Sequence, residues 1–337
     1  MASLLFYHNI LSQLIMNNFF RLVFTSIFTF LIHFFIYFGF ANQYSSTSLV
    51  LSNFQDQYTS GVYQFRFLST KAVLYLRDYL TSYDLGFLNS LEFMAKGADA
   101  YLYLSLFLFN TFFGVLTILF FNLILNTQKK LKSNEKLLII LFSSIMIGFS
   151  QFVIVPYDGL AYFLLTSFLF FFLRYLKRLH EKRNYIILLL LIIVGTLNRE
   201  TMALSLSLAA SLLLSERGFG KDSIYPLLGL VVAFLATYAG LRFYFHTTVI
   251  NDGVLLAYNF KKVKNLIALA LEVSLLCIPF MITPGQEQRK FIGLFYFFSL
   301  PYLAFCFVTG ILFEVRLFIP LFLIAMLLSS ISMKNRL

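Results

Sequence analysis

Long runs of apolar residues, separated by short polar segments, dominate the pattern along this chain. A membrane-spanning helix needs about 20 predominantly apolar residues, and only helices or closed barrels satisfy their backbone groups inside lipid. The pattern therefore predicts an all-α, polytopic transmembrane helical bundle of about ten spans, with residues 1–337 forming a single transmembrane domain. The candidate spans cover residues 18–40, 101–125, 136–155, 157–174, 185–197, 201–215, 224–245, 265–283, 291–312 and 316–332.

The longest segment between two apolar runs covers residues 41–100, directly after the first span. Its polar and apolar residues alternate in short stretches, which predicts a long loop that carries short amphipathic helices. The first 17 residues lack both a basic region and a cleavage site. No removable signal peptide is therefore expected at this end of the chain.

Basic residues indicate how the bundle is oriented. Segments 126–136 ("NTQKKLKSNEK") and 174–183 ("RYLKRLHEKR") are the densest short basic segments, which predicts that both are cytoplasmic. Two spans lie between them, so the two assignments agree. Counting along the chain then places the amino terminus inside, and the loop 41–100 and the turn 156–159 ("PYDG") outside.

The run 185–215 leaves the topology open. It is long for one span and short for two. If it is one long helix, the orientation of every later segment inverts. A short helical hairpin is favoured, because Gly195 and Asn198 both weaken a helix close to the charged pair Arg199–Glu200.

Composition supports an integral membrane protein. Hydrophobic residues make up 60% of the chain and charged residues only 12%, with a mean hydropathy of +0.82. A soluble domain carries about 25% charged residues. The net charge of +11 is concentrated in segments between apolar runs, which is typical of contacts with lipid headgroups and argues against nucleic-acid binding. Cys277 and Cys306 lie in apolar runs, and no metal ligand spacing or cofactor motif is visible.

Charged residues inside the segment "GTLNRETMAL" (195–204) need a physical reason. An ionised side chain at the bilayer centre costs roughly 2.5–3.5 kcal/mol, so such groups usually pair with each other and line a cavity. With the hairpin topology, ionisable residues from five separate parts of the chain fall on the outer face, which predicts one extracytoplasmic pocket. They are Asp56, Arg66, Asp158, Arg199, Glu200, Lys261, Lys262, Lys264, Glu314 and Arg316.

Each of these residues also has a purely structural interpretation. Arg66 fits an interfacial helix that is anchored at lipid headgroups, and Asp158 fits the first turn of the fourth span. The lysines near residue 261 are typical of a cytoplasmic loop, which would favour the inverted topology. Glu272 lies within an apolar span, where a carboxyl group needs a partner or keeps its proton.

Four motifs occur in a fixed order along the chain: "QFRFL", "PYDGLAYFLL", "LNRETMALSL" and "FEVRLFIPL". The first loop is long and carries an acidic residue. Together with that loop, the four motifs make the chain resemble bacterial polytopic membrane proteins of the C-type glycosyltransferase (GT-C) superfamily. The resemblance covers about residues 50 to 325. It implies an inverting transfer of a sugar from a polyprenyl-phosphate donor to a glycan, lipid or protein acceptor, on the non-cytoplasmic side of a bacterial cell membrane.

The resemblance also implies roles for individual residues. A carboxylate of the first loop acts as general base in the superfamily, and Asp56 best matches that position, with Asp84 as the alternative. Many members carry a paired acidic motif there, whereas Asp56 stands alone. Arg66, Arg199, Arg316 and Lys261, with Lys262 beside it, are the candidates for binding the phosphate. Asp158, Glu200 and Glu314 would orient sugar hydroxyls or the arginines.

Three other functions stay open at this point. A transporter or flippase for lipid-linked glycans would use Glu272, Gln151 and the other intramembrane polar groups as a path, and it requires polar residues through the full depth of the bundle. A structural subunit of a membrane complex would need only one charged patch to contact its partner, whereas the charged residues of this chain come from five separate parts. A polysaccharide polymerase of the O-antigen type usually carries its arginines in a large late loop.

Overall fold

The computed structural model describes residues 2–40, 49–61, 63–86, 97–128, 131–177, 182–246 and 254–332, with side chains from residue 17 onward. The described residues are helical or in turns, and they contain no strand. A π-helical turn, Asp56–Ser60, and two 3-10 turns, Glu200–Ala203 and Val315–Leu317, lie between the helices. The helices are α1 Ala2–Gly39, α2 Leu51–Gln55, α3 Phe67–Thr81, α4 Ala100–Asn126, α5 Ser133–Ser150, α6 Asp158–Lys177, α7 Lys182–Asn198, α8 Leu204–Arg217, α9 Lys221–Tyr244, α10 Leu256–Lys261, α11 Val263–Ile282, α12 Gln286–Phe298, α13 Leu300–Thr309 and α14 Ile319–Leu328.

Several of these helices can cross a membrane. Within the described ranges, six are long and apolar enough: the part of α1 from Asn17 to Gly39, and α4, α5, α6, α9 and α11. The number rises to seven if the bent pair α12–α13 forms one span. Helices α7, α8 and α14 are shorter than a full span. The prediction of a helical membrane bundle is thus confirmed, whereas the number of ten spans stays a prediction.

One end of the bundle carries the basic segments. Thr127 and Gln128, after α4, lie around one small cavity with Arg174 and Lys177 at the end of α6. The Gln128 Oε1 atom accepts a hydrogen bond from the backbone N–H of Ser332, after α14, at 3.1 Å. The described parts of segments 126–136 and 174–183 therefore share one end, here named the basic end.

The opposite end is held by side chains that bond to residues of the turns. Asn110 of α4 donates to the carbonyl of Val155 at 2.9 Å, and Asn198 at the end of α7 donates to the carbonyl of Tyr157 at 3.0 Å. The hydroxyl of Tyr37 in α1 donates to Gln151 Oε1, after α5, at 3.1 Å. These contacts gather α1, α4, α5, α6 and α7 at what is here named the cavity end.

Helices α7 and α8 form a hairpin, as the weak helix residues predicted. Asn198 and Arg199 lie beside Tyr157 and Asp158 at the cavity end, whereas Arg217 at the end of α8 lies over the ring of Tyr175 near the basic end. The glycine at position 195 permits the reversal, because a Cβ atom there would lie 2.6 Å from the Met202 side chain. The charged residues at 199 and 200 consequently form the hairpin tip.

A bend between α12 and α13 shapes the same end. The two helices meet at 47°, and Pro301 lies in the first turn of α13, where it lacks the N–H group that a continuous helix would need. After the bend, the hydroxyl of Tyr302 donates to the carbonyl of Leu317 at 2.8 Å. This hydrogen bond connects α13 to the turn that carries Arg316.

The described part of the first loop packs across the cavity end. Helix α3 buries Ser69, Thr70 and Val73 and exposes Tyr75 and Tyr79. The predicted amphipathic character of the loop helices stays a prediction. Arg77 on α3 binds the Asp99 carboxylate at 2.7 Å, and Asp99 also caps the first turn of α4. Residues 41–48, 62 and 87–96 of the predicted loop lie outside the described part.

Candidate active site at the cavity end

Asp158 is the most deeply buried acidic residue of the candidate site. It is the first residue of α6, and its carboxylate accepts a hydrogen bond from Nη1 of Arg199. The Arg316 Nη1 atom lies 3.7 Å from the other carboxylate oxygen. Asp158 and Arg199 are both buried, at 0% and 4% side-chain exposure. A buried ion pair is tolerated only when its charges compensate each other, so Asp158 fixes the position of two arginines.

Arg66 and Glu200 form a second ion pair, between the first loop and the hairpin tip. Arg66 Nε donates to Glu200 Oε2 at 3.0 Å, and Nη2 donates to Oε1, which gives the two parallel bonds typical of arginine and a carboxylate. Burial opposes the charged form of Glu200, but the neighbouring Arg66 and Arg199 outweigh it and lower the pKa of the Glu200 carboxyl. Glu200 is therefore ionised at neutral pH.

Glu314 and Arg316 form a third pair, within one turn. Glu314 Oε2 accepts from Arg316 Nε at 2.9 Å and from Nη2 at 2.7 Å. The third guanidinium nitrogen, Nη1, donates to the Tyr157 hydroxyl at 3.3 Å. All three nitrogens of Arg316 thus face acceptors from the site.

The ring of Tyr157 lies at the centre of the three arginines. The Cζ atoms of Arg66, Arg199 and Arg316 lie 4.5, 5.0 and 6.0 Å from the ring centroid. Cations within about 6 Å of an aromatic ring are attracted by its quadrupole. The side-chain amide of Asn198, at the hairpin tip, donates to the Tyr157 carbonyl and so fixes the backbone that carries this ring.

A cavity of about 130 Å³ opens between these groups. Asp158 lies behind its wall, so the wall exposes three arginines and two glutamates. Arg199 Nε has no hydrogen-bond partner among the described residues. That nitrogen is itself buried, so it does not face the cavity as a free donor. The wall carries one more arginine than glutamate, and Asp158 behind it balances the charge of the cluster. The lining includes Tyr63, Arg66, Arg199, Glu200, Thr201, Tyr302, Cys306, Glu314 and Arg316.

Other predicted site residues lie elsewhere at this end. Asp56 is exposed in the π-helical turn, and Asp84 is exposed after α3. Lys261 and Lys262 are exposed around the end of α10. None of these four residues lines the cavity, so the structure does not bring them into contact with the arginines.

Sequence reasoning missed the residues that organise the charges. Tyr157, Tyr63 and Tyr302 are absent from the predicted site, although Tyr157 lies inside the quoted "PYDG" motif. Asn198 also binds Ser69 of α3, through its side-chain oxygen. An amide directly before a charged pair in an apolar run is a signal that would have identified Asn198.

Among the described residues, no three His, Cys, Asp or Glu side chains are arranged to hold a metal ion. A site without metal or cofactor stays the prediction. No protein-family model, curated protein or solved structure matches this chain. The assignment of a function consequently depends on the geometry of the cavity and on the sequence motifs.

Proposed function

We propose that the chain is a membrane glycosyltransferase that moves a sugar from a polyprenyl-phosphate donor to a glycan, lipid or protein acceptor. The observation that supports this proposal most is the convergence of Arg66, Arg199 and Arg316 on one cavity around Tyr157. Three guanidinium groups suit the oxygens of a phosphate, which arginine binds with well-defined geometry.

Charge balance explains how three buried arginines remain stable side by side. Asp158, Glu200 and Glu314 compensate the three arginines. Phosphate oxygens would compete with Glu200 and Glu314, which line the cavity, for the N–H groups of Arg66 and Arg316. Positioned cations stabilise the charge that develops on a phosphate leaving group, so the same arginines would accelerate the transfer.

The proposed reaction needs a base besides the arginines. The acceptor hydroxyl oxygen bonds to the anomeric carbon, its proton passes to a carboxylate, and the bond between that carbon and the phosphate oxygen breaks. Glu200 is a weak base here because Arg66 and Arg199 lower its pKa, and Glu314 is bound on two sides by Arg316. Asp56, exposed two residues before Tyr58, therefore remains the proposed base, with Asp84 as the alternative.

The proposal includes a topology of ten crossings in a bacterial cell membrane. Helices α7 and α8 run between the basic end and the cavity end, and α14 begins beside Arg316 and ends near Gln128. The three short helices thus supplement the six or seven long spans. Basic segments favour the cytoplasm, which supports an extracytoplasmic cavity.

A transfer assay tests this function. Purified protein in lipid nanodiscs is mixed with polyprenyl-phosphate sugars and a panel of acceptors, and products are identified by mass spectrometry. We expect wild type to consume one donor, Asp56→Asn to abolish the transfer, and Arg77→Ala, whose arginine pairs with Asp99 away from the cavity, to retain it. No consumption of any donor would argue against an enzyme.

A transporter for lipid-linked glycans is the second candidate, favoured by a polar stripe on α1. Arg21, Thr25, Thr29, His33 and Tyr37 follow each other at four-residue spacing, and all are buried. Polar groups therefore extend through the depth of the bundle, and they are not confined to the cavity end.

The hydrogen bonds of the stripe favour a structural role. Thr25 and Thr29 donate to carbonyls one turn earlier on α1, and Thr29 also contacts Ser144 of α5 at 3.0 Å. Such contacts hold membrane helices together. Movement of a labelled polyprenyl-phosphate sugar across proteoliposomes, without an acceptor, would favour the transporter over the enzyme.

A further inference from the structure

Glu272 is a buried acidic residue that the proposed reaction does not use. It lies in the middle of α11, which is long and apolar enough to cross a membrane. This helix exposes Ile267, Leu271 and Val273. The Glu272 residue itself is only 1% exposed. Its side chain therefore points into the protein, away from the lipid-facing side of its helix.

Neither carboxylate oxygen of Glu272 has a hydrogen-bond partner among the described residues. This differs from Asp158, Glu200 and Glu314, each of which is paired with an arginine. An unpaired carboxylate in apolar surroundings is far less favourable than the neutral acid, so the group keeps its proton.

The helices around α11 offer no cation at this depth. Helix α14 carries no ionisable residue, and the hydroxyl of Tyr296 on α12 donates to the carbonyl of Leu276 at 2.9 Å. On α13, Cys306 lines the cavity and carries no positive charge. The charged residues of these elements lie near helix ends: Lys261 on α10, Lys264 on α11, and Glu287, Arg289 and Lys290 on α12.

We propose that Glu272 is a proton-binding carboxylic acid within the membrane layer, and a site of covalent modification by lipid-soluble carbodiimides. This site is independent of the glycosyltransferase proposal, because it depends only on the burial and the missing partners of one side chain.

The modification proceeds in two balanced steps. The proton of the carboxylic acid moves to one nitrogen of the carbodiimide, and a carboxylate oxygen bonds to the central carbon, which gives an O-acylisourea. The acyl group then moves from that oxygen to a nitrogen, which gives a stable N-acylurea. The product contains all atoms of the protein and one reagent molecule, and the first step requires the proton.

The test compares two reagents on the intact protein in lipid nanodiscs. Dicyclohexylcarbodiimide enters the lipid, whereas a water-soluble carbodiimide with glycine ethyl ester reaches only exposed carboxyls. Peptide mass mapping then locates each adduct. We expect the lipid-soluble reagent to modify Glu272 at pH 6 and less as pH rises, and the water-soluble reagent to modify the exposed Asp56 and Asp84 but not Glu272.

Wild-type protein alone decides the result, so the test does not depend on a variant that folds. Absence of an adduct at Glu272 at pH 6, with Asp56 and Asp84 modified by the water-soluble reagent, would overturn the proposal. Equal modification of Glu272 by both reagents would overturn it as well. The isosteric variant Glu272→Gln serves as the control, because the adduct mapped to this position should be absent from it.

Discussion

Arg199 at the tip of the α7–α8 hairpin donates to the carboxylate of Asp158 at the start of α6, and the two side chains are 4% and 0% exposed. The residues are distant in sequence and carry opposite charges in a region where neither is stable alone. Their pairing explains why the chain places charges inside an apolar run. The pair also holds one side of the site in place, and the other arginines lie around it.

The first prediction concerns this pair. Asp158→Ala leaves Arg199 buried without its main partner, and breaking a buried pair in this way costs about 3–5 kcal/mol. The double variant Asp158→Ala/Arg199→Ala removes both charges, so it should lose less stability than the sum of the two single variants. Thermal unfolding in detergent, arranged as a double-mutant cycle, measures the difference. Strictly additive losses would show that the two residues do not interact.

The second prediction concerns the Tyr157 ring. Tyr157→Phe keeps the ring and removes only the 3.3 Å hydrogen bond from Arg316, whereas Tyr157→Leu removes the aromatic surface that three guanidiniums face. We expect the phenylalanine variant to stay close to wild type in thermal stability. The leucine variant should lose about 0.5–2 kcal/mol for the cation–π contacts. Equal losses in both variants would assign the effect to the hydroxyl.

The third prediction concerns pH and Glu200. Its folded-state pKa is lowered, so its contribution to stability is present above the unfolded-state pKa of about 4.3 and disappears as pH falls through the folded-state value. Wild type should therefore melt at a higher temperature than Glu200→Gln at pH 7. The gap should close in acid, where Glu200 becomes neutral. A gap that is constant from pH 7 to strongly acidic conditions would contradict this account.

The fourth prediction concerns orientation. Lys262 is exposed at the cavity end and Asn134 is exposed at the start of α5, at the basic end. In a chain with Cys277 and Cys306 replaced by alanine, Lys262→Cys should react with a membrane-impermeant thiol reagent in intact cells. Asn134→Cys should react only after the membrane is opened. The reverse result would place the cavity in the cytoplasm, and reaction of both from outside would contradict the separation of the two ends.

Hydrophobic patterning predicted much of this architecture, because a membrane helix differs strongly from its loops in hydropathy. The hairpin at 185–215 was also predictable, since Gly195 and Asn198 disfavour a continuous helix and the charges need an interface. The exact bounds of the helices were not predictable from the sequence. Residues 151–155, for example, are apolar enough to extend α5, yet they form a turn because Asn110 and Tyr37 bond to that segment.

The candidate site was predictable only as a set of charged residues. Patterning brought Arg66, Arg199 and Arg316 to one face, but the choice of partners depends on tertiary distances that a sequence does not contain. Lys261 and Lys262 illustrate the difference, because they share the cavity end yet remain exposed. The role of Tyr157 was hidden for a similar reason: a tyrosine near a span end looks the same whether it faces headgroups or three arginines.

Binding of a polyprenyl phosphate without its sugar tests the central claim most directly, because it isolates the arginine cavity from the base and the acceptor. The measurement is equilibrium binding of a labelled polyprenyl phosphate to protein in nanodiscs, for wild type, Arg199→Ala, Arg316→Ala and the control Arg77→Ala. We predict that the two cavity variants bind at least about tenfold more weakly, since hydrogen bonds to charged groups contribute about 1.5–3 kcal/mol, and that the control binds like wild type. Equal affinity in all four proteins would contradict a phosphate site at these arginines.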